Sequence, residues 1–387
     1  MARLEGRTEG LTDVDLDLVR RARQFVAEHV ASHASRWELD RRVPTETFAL
    51  AAQQGLALML QPEKEARADV PSYLGVARVA EEMGAGCLTF ALPLLAQNYV
   101  AWAVARHGTL EARSSLLPQM RAGSLFGGFC LTEPGAGSDV AALATTARRV
   151  GGKWTITGEK ARVLLGTEAR FFIVFAKAKG ADGSVGVGLY LVRAGLPGVE
   201  IGDAYAMVGG HALGCNSVRF WDVEVSDEDM LLPPGQGFSF AFDAIDFARL
   251  YVAATACGML RAGLEEALQY TTGRMAFGQR IVDFQGPQWM LADVATHLLA
   301  SRALVDEAVT CVSDRARFTP AVAHAKKFVT QVALPGLATC AQLLGANGLL
   351  ARNASGRHFQ CAKIAQYLDG STEIQNLVIA RSLMRTI

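Results

Sequence analysis

No Cys-x-x-Cys pair occurs in this chain, although it carries seven cysteines, at 87, 130, 215, 257, 311, 340 and 361. Scattered thiols in odd number argue against both a disulfide framework and a zinc site, so no metal is expected. Buried free thiols in a reducing compartment are the simpler reading, and a cytoplasmic location is expected. An excess of either charge is also absent: 38 basic residues face 38 acidic ones. With no basic stripe interleaved with aromatics, nucleic acid is not an expected partner. The first residues carry acids early and have no apolar core, which speaks against a secretory leader. The uncharged run from Cys87 to Ala105 is broken by Pro93, Gln97 and Asn98. A buried helix pair interrupted at the proline fits it better than a membrane span, so no membrane insertion is expected. Internal repeats and low-complexity tracts are missing too.

What remains is a 387-residue chain that is half hydrophobic and one-fifth charged, enough for two to three domains with real cores. Residues 11–32 place apolar side chains at helical spacing behind a Thr12 or Asp13 cap, and Pro44 opens a second helix to about Gln54. Residues 61–71 read as a polar loop. Helices are expected again over 72–84, 88–106 and 109–122. The texture changes at Gly123. Short beta-prone runs such as Trp154–Thr157, Phe171–Phe175, Gly186–Val192 and Ser217–Phe220 alternate with glycine turns until Pro233-Pro-Gly-Gln-Gly237. Helical periodicity then returns in four long stretches, about 241–272, 285–313, 320–344 and 374–384. The expected fold is mainly α with a central β domain. It has an N-terminal helical domain (1–124), a small β barrel or sheet (125–235) and a C-terminal four-helix bundle (236–387).

The stretch Phe129-Cys-Leu-Thr-Glu-Pro-Gly-Ala-Gly-Ser-Asp139 sets three turn-formers among side chains able to hydrogen-bond. Glycine lets a ligand approach the main chain, and such a turn can aim several N–H groups at one anion. Read alone, it is also an ordinary turn. Arg274 offers a planar fork suited to phosphate, but equally suits a solvated helix end. Gly345 fits a close backbone approach or a helix C-cap.

Four segments in order resemble the acyl-CoA dehydrogenase family: Cys130–Ala142, Arg274-Met-Ala-Phe-Gly278 with Phe284-Gln285, Gln342-Leu-Leu-Gly-Ala-Asn-Gly348, and Asp369-Gly-Ser-Thr-Glu-Ile-Gln375. The resemblance covers nearly the whole chain and implies a flavoprotein that carries FAD. By it, Thr132 and the main chain at Phe129 and Leu131 would meet the flavin ring, with Gly137, Val163 and Leu164 in the same wall. Ser138 would reach the pyrophosphate or the acyl-CoA. Arg274, Phe277 and Gln285 would hold the FAD of a neighbouring subunit, and Gln342, Gly345 and Ala346 would do so from across the interface. That implies a homodimer or homotetramer with shared FAD sites. Ser371 and Glu373 would lie along the adenosine side. Asp246 and Arg249 resemble the pair that holds the CoA part of the substrate, and Gly370 would lie at the substrate beside the base. The implied reaction removes the α proton of an acyl thioester by a carboxylate and passes the β hydrogen as hydride to flavin N5. The implied partners are an acyl-CoA or acyl-carrier-protein substrate and an electron-transfer flavoprotein or other acceptor.

Three departures stand out. The family's usual glutamate base is here Asp369, one methylene shorter, and the other known location for the base holds Ala248. Asp369-Gly370 also has a plain reading as a turn and cap for the last helix. Where the family often has a flavin-covering Trp and a nearby Thr or Ser, this chain has Arg162 and Leu164. The glycine-rich loop expected after the first helices is missing around 61–71. The expected activity is FAD-dependent α,β-dehydrogenation with Asp369 as base. The rivals are a flavin oxidase or monooxygenase on the same fold, and a non-catalytic subunit that shares an FAD site.

Overall fold

The computed structural model describes residues 4, 6, 8–60, 70–180, 183, 185–350 and 352–385. Most of the 61–71 loop, and with it the glycine-rich loop noted as missing, lies outside these residues.

The N-terminal third is helical: α1 (Asp13–Phe25), running into a π-helical turn (Val26–Val30), then α2 (Ala34–Asp40), α3 (Thr45–Gln53), α4 (Tyr73–Gly86), α5 (Leu88–His107) and α6 (Leu110–Arg121). Thr12 and Asp15 form a capping box at the start of α1. Asp15 also accepts from the Ser72 N–H and hydroxyl at 2.7 and 2.8 Å, so one carboxylate fastens α1 to the head of α4. The short helix α2 was not anticipated. The expected break at Pro93 is corrected: α5 is one continuous helix with the proline inside it. A proline here deletes one i→i−4 bond. Tertiary burial outweighs that loss, because every residue from Leu88 to Ala105 is buried. Helix α5 is long and apolar enough to cross a membrane, and its apolar window lies wholly inside the protein.

The middle section is one eight-stranded sheet of β1 (Phe126–Cys130), β2 (Thr146–Val150), β3 (Lys153–Val163), β4 (Ala169–Lys179), β5 (Val185–Arg193), β6 (Val199–Ala204), β7 (Asn216–Ser226) and β8 (Met230–Leu232). Its order is β6-β7-β3-β2-β4-β5-β8, with β1 pairing parallel to β4 in the register Phe129↔Ile173. The ladder between β3 and β7 slips between Lys160 and Val163. Such a bulge re-aims side chains locally. Here it puts Arg162 in the left-handed region (φ 58) and leaves it exposed.

The 37-residue α7 (Gly237–Gly273) is the spine of the C-terminal part. It crosses α4 at close quarters: a Cβ on Gly258 would overlap the Glu81 carbonyl, and one on Gly84 the Thr255 carbonyl. A two-stranded hairpin follows, β9 (Met275–Ala276) and β10 (Gln279–Arg280), then α8 (Gln285–Thr310), α9 (Arg315–Leu343), α10 (Ala354–Ala365) and α11 (Thr372–Met384). Helix α9 begins five residues before the expected Pro320, where Asp314 caps it through the Ala316 N–H at 3.0 Å. The bundle is made differently from the expectation. Its fourth member is α10, which was not foreseen, packed on α7 and α9. Helix α11 leans on α9 and buries only Gln375. All seven cysteines are free and buried.

Candidate active site

Between α10 and α11 the chain passes through two consecutive left-handed residues, Asp369 (φ 53) and Gly370 (φ 98). Glycine takes this conformation freely, whereas a residue with a Cβ must be held there. Three side chains from three helices do so. From α7, the Arg249 Nε–H donates to the Asp369 carbonyl at 3.0 Å. From α9, the Lys326 ammonium donates to the Gly370 carbonyl at 2.6 Å and the Gln366 carbonyl at 2.8 Å. From α11, the Gln375 amide reaches the Gly370 carbonyl at 3.0 Å and the Asp369 carbonyl at 3.4 Å. Arg249 is itself fixed by Asp246 at 2.8 Å, whose other oxygen accepts from the Thr319 hydroxyl at 2.6 Å. Asp246 and Arg249 are buried beneath the loop, as its support.

The Asp369 side chain is half-buried, with one face partly open. Burial lifts its carboxyl from the ordinary 3.8 to about 6, against the opposing pull of the Lys326 and Arg249 cations. Lys326 moves the other way. Burial lowers its ammonium from 10.5 to about 8, while Asp369 favours the charge and Arg249 opposes it. Two tyrosines complete this side. Burial, and next the negative charge of Asp369, raise the Tyr99 hydroxyl. The buried Tyr251 hydroxyl has no hydrogen-bond partner among the described residues. The Tyr99 ring stands edge-on to Phe129 at 5.1 Å, and Phe129 meets Phe175 at 5.0 Å. Through Tyr99 the carboxylate on the bundle thus faces the wall made by β1.

That wall is assembled from the stretch that the sequence picked out. Phe129 lies in β1, with Leu131 buried and Thr132 half-buried behind it. The Ala161 N–H of β3 donates to the Thr132 carbonyl at 2.8 Å, and a Cβ at Gly128 would touch Val163 at 2.9 Å. Strands β1 and β3 therefore bring Phe129, Leu131, Thr132, Val163 and Leu164 together. A tight turn over Glu133–Ala136 follows, closed by mutual main-chain bonds of 3.1 and 3.2 Å. Beneath it lies an ion pair between Glu133 and Lys160 at 2.8 Å; Lys160 also donates to the Leu131 carbonyl at 3.2 Å. The N–H groups of Ala144 and Thr145 complete the Glu133 shell. Burial opposes ionisation of Glu133, but Lys160 and these donors more than offset it and lower its titration. Above the turn, Gly135 and Gly137 face open space, and Ser138 is exposed.

The remaining sequence-derived residues lie at the far end of the bundle. Arg274 is 25 residues beyond Arg249, about 37 Å further along the line of α7. It is exposed and makes no ion pair among the described residues. Phe277 (φ 52) and Gly278 (φ 82) form the tip of the β9–β10 hairpin, with the phenyl ring 96 % exposed. Gln285, Gln342, Gly345 and Ala346 are exposed nearby, and Asn347 ties their segment to α7 through Tyr270 at 3.1 Å. Ser371 and Glu373 lie at the head of α11, beside the Asp369 loop; the Ser371 hydroxyl lowers the Glu373 carboxyl. One chain therefore gathers these residues into two separate sets, an inner one around Asp369 and an outer one around Arg274. Reasoning from sequence missed Lys326, Gln375, Tyr99, Tyr251 and the Glu133–Lys160 pair.

Both sets suit a long phosphate-bearing cofactor. The inner wall offers glycines with free space above them. The outer set offers an uncommitted guanidinium, two exposed amides, Gly345 with open space around it, and a bare aromatic ring.

Three models of one family match the chain in order: Acyl-CoA dehydrogenase, N-terminal domain over residues 12–124, middle domain over 128–223, and C-terminal domain over 235–384. Among curated proteins, the short-chain specific acyl-CoA dehydrogenase, mitochondrial, of Bos taurus is 30% identical, covering 94% of this chain and 88% of its own. The cyclohex-1-ene-1-carbonyl-CoA dehydrogenase of Syntrophus aciditrophicus is 29% identical over 97% of this chain and 91% of its own. The solved structure of butyryl-CoA dehydrogenase from Megasphaera elsdenii superposes with a TM-score of 0.90 at 28% identity, covering 97% of this chain and 99% of that one.

Proposed function

The chain belongs to the acyl-CoA dehydrogenase family and is an FAD-dependent oxidoreductase acting on acyl-CoA; within that activity, we propose that Asp369 is the base that removes the α proton. The observation that carries this is the Asp369 carboxyl itself. It sits on a loop clamped by Arg249, Lys326 and Gln375, faces the β1–β3 wall through Tyr99, and titrates near 6. A carboxylate of that basicity is ionised at neutral pH yet takes a proton more readily than an ordinary aspartate.

In this reading the inner wall of Phe129, Leu131, Thr132, Val163 and Leu164 holds the flavin ring of FAD, with Gly137 and Ser138 toward the phosphates. FAD, when bound, supplies the two-electron acceptor for the β hydrogen. Arg274, Phe277, Gln285, Gln342, Gly345 and Ala346 serve the cofactor of a partner subunit, since they lie too far from Asp369 to serve the same site in one chain. The ring of Phe277 bared at a hairpin tip is the feature that most favours such sharing. The short-chain and cyclohex-1-ene-1-carbonyl substrates in the names of the two relatives support reading the acyl group as short, branched or cyclic, carried on CoA or on a carrier protein through the same phosphopantetheine arm. An electron-transfer flavoprotein is our proposed acceptor.

The test is anaerobic stopped-flow mixing of the FAD-loaded protein with straight, branched and cyclic short acyl-CoAs and the matching acyl-pantetheines, read at the flavin absorbance. At least one should bleach wild type and leave Asp369→Asn unbleached. If the variant bleaches as fast as wild type, Asp369 is not the base. Rapid reoxidation of the bleached flavin by air would assign an oxidase instead.

A further inference from the structure

Two lysines among the described residues have no exposed surface at all, Lys160 and Lys326. Lys160 is neutralised in direct contact by Glu133 at 2.8 Å. Lys326 has no carboxylate in ion-pair contact among the described residues, and its ammonium instead meets the carbonyls of Gln366 and Gly370. A buried cation without a contact partner is costly. A neutral side chain on α9 would fill the same place more cheaply, so packing alone does not account for a lysine. Its placement does: one bonded carbonyl belongs to Gly370, next to Asp369, and the other to Gln366, three residues before it. Asp369 and Glu373 favour the charge from the loop and α11, and Arg249 opposes it from α7.

We propose that Lys326 is the positioning residue of the active site: its ammonium clamps the loop on either side of Asp369 in the left-handed conformation and makes ionisation of that carboxylate easier. This rests on the reading of Asp369 as base. The two parts separate chemically. The clamp needs only N–H donors, whereas easing ionisation needs a positive charge. Without the charge, the Asp369 carboxyl holds its proton to higher pH, and the acid limb of the reaction moves with it. A lysine that served the fold alone would leave that limb in place once FAD is bound.

The experiment compares Lys326→Gln, a neutral donor, with Lys326→Met, which can neither donate nor carry charge, both as FAD-loaded protein. It uses whichever short acyl-CoA bleaches wild type. Two quantities are read against pH: the flavin reduction rate, and the infrared band of the protonated Asp369 carboxyl, assigned by its absence in Asp369→Asn. The infrared titration needs no turnover. Both variants should move the acid limb and the infrared titration upward by roughly one pH unit. Lys326→Gln should recover most of the rate at high pH, and Lys326→Met should remain roughly 100-fold slow there, because the loop is no longer held. Unchanged limb and band in both variants overturn the proposal. So does a loss of FAD binding in both, which would make Lys326 a residue of the fold. If Asp369→Asn is itself fully active, the base reading has failed; if it is inactive while the lysine variants behave as wild type, only the present inference has.

Discussion

Asp369→Asn should make the protein more stable at neutral pH while removing its chemistry. The sign follows from the direction of the shift. A carboxyl raised from 3.8 to about 6 binds its proton more tightly in the folded state than in the unfolded one. Stability is therefore greatest when the group is protonated, falls as pH rises from about 4 to 6, and stays lower above that. A rise of that size corresponds to about 3 kcal/mol at pH 7, the cost of keeping the charge on this loop. Asparagine removes the charge, keeps the shape, and is among the non-glycine residues that best tolerate φ near 53. For a chain of this length, 3 kcal/mol is roughly a 4 °C rise in melting temperature if the subunit unfolds as one unit. The assay is calorimetry of wild type and variant with saturating FAD at a series of pH values from 4 to 8. The gap should be full at pH 7, about half at pH 5 and nearly gone at pH 4. A variant no more stable than wild type at pH 7, or a gap independent of pH, would refute the reasoning, because the carboxyl would then not be strained by its surroundings.

Other consequences are as direct. The rate of flavin reduction by substrate should climb about tenfold per pH unit below 6 and level off above it, as the ionised fraction of Asp369 saturates; a flat profile between pH 5 and 7 contradicts this. Arg274→Ala should fold normally, by circular dichroism, yet bind FAD roughly 10- to 100-fold more weakly in titrations of the stripped protein, having lost charge-assisted bonds to phosphate. Glu133→Gln should strand the buried Lys160 ammonium and cost about 3–5 kcal/mol in urea unfolding. Adding Lys160→Met should restore part of that loss, and a purely additive double variant would show that the pair is not coupled.

The parts of the site that were legible in the sequence are those made by the backbone. The turn at Glu133–Ala136 announces itself through Pro134, Gly135 and Gly137, because turns are local, whereas the hairpin that carries Phe277 and Gly278 was not anticipated. The chemistry beneath them is not local. Glu133 and Lys160 lie 27 positions apart, and nothing in either neighbourhood marks them as partners. Lys326 precedes a second lysine in a long helix, a pattern that reads as a solvated face, and only the packing of α9 against the Asp369 loop turns it inward. Helix α10 was missed because Arg357, His358 and Lys363 interrupt its apolar stripe. Arg357 and His358 prove to be buried, with bonds to the Gly86 and Ala85 carbonyls at 3.2 and 3.0 Å. Pro93 misled for the opposite reason: a local rule about helix breaking yields to the burial of a whole helix.

The seven buried thiols give the molecule a built-in record of its own breathing. They are spread through every layer: Cys87 where α4 meets α5, Cys130 in β1, Cys215 just before β7, Cys257 in α7, Cys311 at the end of α8, Cys340 in α9 and Cys361 in α10. Burial pushes those at 130, 215 and 340 up to about 12, so they carry almost no thiolate while folded. Each stays silent to an alkylating reagent until its own neighbourhood opens. The order in which they acquire label, read by peptide mass, would rank the layers by the frequency with which each exposes its interior, and no residue would need to be changed to obtain it.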